Sequence, residues 1–158
     1  MALPEDISGT MVERRAALWH RGEKFAAETL ETQGWSIIDR NWKAGRYEID
    51  IIALTPEDLI VFVEVKTRIT SLEAGVSMYG LESITHTKRQ KLVVAANIYL
   101  HTNNLVERGG RLDVIVVSFL RRENMTPIKM EDFALLDEQS LMMRLDGPVA
   151  THIEQAFY

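Results

Sequence analysis

The chain has 158 residues, a net charge of −5, 46% hydrophobic and 26% charged residues, and no cysteine. That length builds one domain with a full core, the composition is that of a globular protein, and the lack of cysteine excludes a disulfide framework and thiolate metal ligands. The acidic balance excludes a generic basic nucleic-acid coat; no apolar run approaches the ~18 residues of a membrane span, and Met-Ala-Leu-Pro-Glu-Asp at the start lacks the basic and apolar regions of a secretory signal, so a cytoplasmic protein is expected.

Residues 1–10, polar and containing Pro4 and Gly9, are expected to be a loose tail, and 11–158 a single domain. The spacing predicts a helix from about Met11 to Gln33, with Thr10 as its cap and Gly34 as its stop. Ala16, Trp19, Ala26, Ala27 and Leu30 fall on one stripe at helical spacing, and Glu23 sits in the middle of it. A carboxylate there either pairs with an arginine or serves a site. Gly22 beside it weakens the helix and permits close backbone approach.

Trp35 to Trp42 reads as a first strand, Lys43 to Arg46 as a turn, and two apolar strands follow, Tyr47–Leu54 and Leu59–Arg68. Period-two alternation puts Tyr47, Ile49 and Ile51 on one face of the first, and Glu48, Asp50 and Ile52 on the other. In the second, Ile60, Phe62, Glu64 and Lys66 share a face. Residues 69–86 read as a long loop, which in a compact domain points to function. A second helix is expected from about Thr87 to His101, capped by Thr85 or Thr87, with Leu92, Ala95, Ala96 and Tyr99 as its apolar face. Lys88, Arg89 and Lys91 crowd its first turn against the helix dipole; an anionic partner or simple solvation would account for them. Arg111 to Leu120 is a strong strand. Ile128 to Phe133 reads as an edge strand, residues 134–147 carry little pattern, Gly147-Pro148 breaks the chain, and 151–157 read as a short closing helix.

Charges inside strands that are apolar on both faces are costly unless they are paired or bind a metal. A register pairing positions that sum to 114, closed by a three-residue loop Pro56-Glu57-Asp58, puts Asp50 opposite Glu64 and Glu48 opposite Lys66. Converging carboxylates with a backbone carbonyl suit a hard divalent cation such as Mg²⁺ or Mn²⁺, and a lysine beside them can position a water or offset phosphoryl charge. The competing reading is a buried salt-bridge network of Lys66 with Glu48 or Glu64. The four histidines lack the spacing of a helical zinc site, and there is no Gly-x-Ser-x-Gly elbow or glycine-rich phosphate loop.

Asp50, then Glu64-x-Lys66 across two strands, resembles the PD-(D/E)xK nuclease signature. The match extends through Gly22-Glu23-x-x-Ala26, Glu48-Ile49-Asp50-Ile51-Ile52-Ala53, Phe62-Val63-Glu64-Val65-Lys66-Thr67-Arg68, Lys88, Arg111-Leu112-Asp113-Val114 and His152-Ile153-Glu154-x-Ala156-Phe157. Together these resemble the bacterial YraN family of predicted endonucleases, distantly similar to Holliday-junction resolvases. The resemblance implies an α/β, restriction-endonuclease-like fold: a mixed central sheet flanked by helices. It implies a metal-dependent endonuclease acting on structured or branched DNA, and a homodimer by analogy with resolvases. Glu23 would be an auxiliary acid at the entrance, Asp50 and Glu64 with the Val65 carbonyl the metal ligands, Lys66 the catalytic lysine, and Glu48 auxiliary. Lys43, Arg46, Arg68, Lys88 and Lys91 would contact nucleic acid. Tyr47 stands where the family usually has Gly, Gln155 replaces the usual Asn, and residues 121–147 fit the family poorly. The alternative is a non-catalytic nucleic-acid-binding or scaffold protein that keeps the fold.

Overall fold

The computed structural model describes residues 11–70, 84–122, 136 and 138–156. The expected tail, the Thr10 cap, most of the 69–86 loop and the Ile128–Phe133 strand lie outside these residues. The elements in chain order are α1 (Met11–Thr32), β1 (Ser36–Ala44), β2 (Tyr47–Leu54), β3 (Ile60–Thr70), α2 (His86–Thr102), a 3₁₀ turn at Val106–Arg108, β4 (Arg111–Arg121), α3 (Glu138–Met143) and β5 (Leu145–Ile153). The strands form one sheet in the order β1-β2-β3-β4-β5. All neighbours are antiparallel except β3 and β4, which run parallel from Val61↔Arg111 to Thr70↔Leu120. This is an α/β architecture, a mixed sheet flanked by helices.

The central strands read as continuous apolar runs because both faces are covered. Ala26, Ala27 and Leu30 of α1 pack on Ile51, Ala53, Val61, Val63, Val65, Ile115 and Val117. Ala95, Ala96, Tyr99 and Leu100 of α2 pack on Ile49, Ile52, Ile60 and Phe62. Gly22 is where α1 meets the sheet: a Cβ there would lie 3.0 Å from both Cβ and Cγ2 of Thr67, and closer still to its Oγ1. Trp19, expected on the buried stripe, is 53% exposed. The helix outruns the sheet, and Gly22 is the first fully buried position among its described side chains.

The β2–β3 register is the expected one, with Ile51↔Val63, Ile52↔Phe62, Ala53↔Val61 and Leu54↔Ile60. The Thr55 N–H donates to the Leu59 carbonyl (2.9 Å), which closes the three-residue loop, and Asp58 takes its positive φ of 69°. The first hairpin is tighter than expected. Lys43 and Ala44 belong to β1, and Ala44 pairs with Tyr47 across the two residues Gly45 and Arg46. Gly45 supplies the positive φ of 59° at the first turn position.

Two expectations for the C-terminal region fail. Gly147-Pro148 does not break the chain but lies within β5, beside the register shift between Ser118 and Leu120. An edge strand at a register shift tolerates a residue without an N–H. The closing helix at 151–157 is not formed, because Thr151, His152 and Ile153 pair with Val116, Ile115 and Val114. β4 would otherwise leave a row of buried backbone groups unpaired, and the β-branched Thr151 and Ile153 suit a strand.

Candidate metal and nucleic-acid site

The β2–β3 ladder stops at Ile51↔Val63, one residue short of the expected Asp50–Glu64 pair. The side-chain alternation of β2 breaks at the same point. Ile49 joins Ile52 on the α2 side, while Ile51 lies on the α1 side, so the predicted Tyr47–Ile52 alternation does not hold. The cause is local: the Val65 N–H donates to Asp50 Oδ2 (2.7 Å), so a side chain replaces the ladder and the strands part around it.

Glu64 follows Phe62 on the face covered by α2 and is 3% exposed. Its Oε1 lies 3.3 Å from Lys66 Nζ and 3.3 Å from Lys88 Nζ, while its Oε2 is buried with no hydrogen-bond partner. Lys88 reaches it from the first turn of α2, where its own N–H donates to the capping Thr85 Oγ1 (3.2 Å). Glu23, one residue past the close approach of α1 to β3, also has a buried Oε2 without a hydrogen bond. That oxygen is 3.9 Å from His20 Nδ1, within ion-pair reach but too far for a hydrogen bond.

Burial first, and the neighbouring charge of Glu64 second, push the carboxyl of Asp50 up to about 7. Glu23 adds to the rise, while the Val65 N–H and the Lys88 ammonium oppose it. Four of the expected residues are thus brought together: Asp50, Glu64 and Lys66, with Val65 supplying an N–H. Glu23 acts on Asp50 through its charge. Among the described residues, no three His, Asp or Glu side chains form a ready-made cation cage.

Glu48 is not part of this group. It is exposed, 3.9 Å from Lys43 across the β1–β2 hairpin, and the expected opposition to Lys66 is not made. The reason is the parting of the strands at Asp50. Of the expected nucleic-acid contacts, Lys43, Arg46 and Lys91 are exposed. Arg46 donates to the Tyr47 hydroxyl (3.2 Å) and lies over its ring. Arg68 is half-buried, with its Nε on Ser118 Oγ (2.9 Å).

A second charged cluster lies at the start of β4. Asp113 is 1% exposed and takes two 2.8 Å hydrogen bonds from Arg111, one from the Gln155 N–H (3.0 Å), and a 2.8 Å contact with His152 Nε2. Burial would raise its carboxyl, but the bonds to His152, Arg111 and Gln155 outweigh that and hold it below the usual range. Arg111 also meets Glu154 (3.2 Å) and lies over Trp35. These residues appear in the sequence only as part of the family resemblance. Their physical signal was a charged pair, Arg111 and Asp113, opening an apolar strand. The cluster ties β4 to the turn after β5, two strands across the sheet from Asp50.

The site is thus a set of carboxylates and lysines gathered where the second and third strands of a mixed five-stranded sheet part. Residues 22–117 match the model of the uncharacterised protein family UPF0102. The chain belongs to this family, the YraN family its motifs resemble. It is 41% identical over 112 residues to a UPF0102 protein of Nitratidesulfovibrio vulgaris, covering 68% of this chain and 77% of that one. It is 35% identical over 136 residues to a UPF0102 protein of Bifidobacterium longum subsp. infantis, covering 86% and 89%. Among solved structures it aligns with an EndoMS–double-stranded DNA complex at 15% identity and a TM-score of 0.34, over 76% of this chain and 39% of that one. It aligns with Pyrococcus furiosus SfsA in complex with Ca²⁺ at 16% identity and a TM-score of 0.34, over 67% and 58%. No described helix is long and apolar enough to cross a membrane.

Proposed function

We propose that this protein is a divalent-metal-dependent endonuclease that hydrolyses phosphodiester bonds of DNA, with structured or branched DNA as its substrate. The observation that carries the reading is the crowding of Asp50 and Glu64 where β2 and β3 part. Their burial and mutual repulsion raise Asp50 to about 7 and leave Glu64 Oε2 without a partner. A cation placed between them would offset that repulsion, which fits Mg²⁺ or Mn²⁺ held by Asp50, Glu64 and the Val65 carbonyl. Bound there, the metal would supply Lewis-acid activation of water and phosphate. Lys66, on Glu64, orients water or offsets phosphate charge. Glu23 adds negative charge near Asp50, and Glu48, on the exposed hairpin, has at most an outer role. The tip of the β1–β2 hairpin lies at the same end of the sheet, so Lys43 and Arg46 join Lys91 as backbone contacts, with Arg68, whose Nε is on Ser118, as a further one.

The competing reading is a non-catalytic nucleic-acid-binding or scaffold protein, and the pairing of both lysines with Glu64 favours it. The test is cleavage of labelled linear, flap and four-way-junction DNA in Mg²⁺ or Mn²⁺, beside Asp50→Ala. Metal-dependent cutting by the wild type alone supports the nuclease. No cutting, or equal cutting by both proteins, removes it.

A further inference from the structure

The first turn of α2 poses a problem that a solvated surface does not answer. It has no acidic residue, and its cap holds Lys88 where a positive charge opposes the helix dipole. The side chain points inward: Lys88 Nζ and Lys66 Nζ each lie 3.3 Å from the same oxygen, Glu64 Oε1. Two ammoniums so close repel each other and are held there by the carboxylate between them. Lys91, three residues further on, is exposed.

We infer that Lys88 is a second catalytic lysine that contacts the scissile phosphate, rather than a flanking backbone contact. The inference rests on the nuclease reading above. The charges of the site give the reason. Glu23, Asp50 and Glu64 against Lys66 and Lys88 leave one excess negative charge. A divalent cation turns that into one positive charge, which the single charge of a phosphodiester cancels. Without Lys88 the metal-loaded site would already be neutral and would draw no anion. With Glu64 engaged in holding a cation, the two ammoniums would lose their shared partner and would be placed to take phosphate oxygens as acceptors. Lys66 stays on the sheet, while Lys88 comes from a helix end across the opening. The two would therefore grip the phosphate from different sides.

The test compares Lys88→Met, Lys88→Arg and Lys91→Met with the wild type in two measurements. In Mn²⁺ titrations without DNA, Lys88→Met binds metal about threefold more tightly or better, because a repelling ammonium is gone. Lys88→Arg and Lys91→Met stay near wild type. In single-turnover cleavage, Lys88→Met loses about 10²-fold or more in rate, Lys88→Arg recovers part of it, and Lys91→Met raises the DNA concentration needed for half-maximal cleavage. Lys66 still holds Glu64 in the Met variant, so the fold is retained. A wild type that cleaves while Lys88→Met cleaves equally, or binds Mn²⁺ more weakly, overturns the role of Lys88 alone. A wild type that neither binds Mn²⁺ nor cleaves overturns the nuclease reading, and Lys88 with it.

Discussion

Asp50→Asn should inactivate the protein and stabilise it when no metal is present. The carboxyl of Asp50 stands at about 7 in the fold, against ~3.9 for a free side chain. A carboxyl raised on folding binds protons more tightly in the native state, so stability falls as pH rises from ~4 to ~7 and is constant above that. Over about three pH units at ~1.4 kcal/mol each, the ionised carboxylate costs up to about 4 kcal/mol at pH 8. The amide removes that cost but weakens the bond from the Val65 N–H by about 1 kcal/mol. The net gain is roughly 2–3 kcal/mol at pH 8, or about 5–10 °C in Tm for a chain of this size. At pH 5 most of the gain is gone, because wild-type Asp50 is protonated in the fold. With saturating Mn²⁺ the order inverts, since the metal stabilises the wild type by mass action. Thermal melts at pH 5 and pH 8, in EDTA and in Mn²⁺, measure all three effects. A variant that melts lower than wild type in EDTA at pH 8 would refute the reasoning and make Asp50 a structural partner.

Gly22→Ala should destabilise by about 1–3 kcal/mol, because overpacking against Thr67 outweighs the ~1 kcal/mol of helix propensity gained; denaturant midpoints measure it. Asp113→Ala should cost about 3–5 kcal/mol by stranding Arg111 and His152. The wild-type contribution of Asp113, whose carboxyl is lowered, is present above ~3.9 and lost as pH falls through its folded value, which acid melts of the two proteins would show. Lys66→Ala should reduce cleavage by about 10²–10⁴-fold while Mn²⁺ binding is kept or tightened, read by kinetics and calorimetry on the same samples.

The β2–β3 register was legible because two signals agreed: the three-residue loop Pro56-Glu57-Asp58, and a pairing that keeps Asp50 and Glu64 on one face where a one-residue slip would part them. α1 was legible from its apolar stripe and its Gly34 stop, and α2 from its Thr85 cap and apolar face. What escaped depends on contacts distant in sequence. The strand at Leu145–Ile153 is a strand only because β4 presents an open edge, and seven residues of helix-like composition do not record that. The parting of the strands at Asp50 follows from one side chain taking the Val65 N–H, so Glu48 reads as converging on the site when it pairs with Lys43 instead. Lys88 was visible as a basic residue in an unfavourable place, but its position on Glu64 needed the crossover between β3 and β4. Trp19 was misplaced because periodicity gives the direction of a side chain and not the length of the sheet beneath it.

Titration calorimetry of Mn²⁺ into the wild type and Asp50→Ala at pH 8, where the Asp50 carboxylate is ionised, asks most directly whether the carboxylates at the β2–β3 divergence are a cation site. Saturable binding to the wild type that is lost in the variant is the predicted result. No binding to the wild type, or equal binding to both proteins, would contradict it and leave Glu64 with its two lysines as a buried ion-pair network.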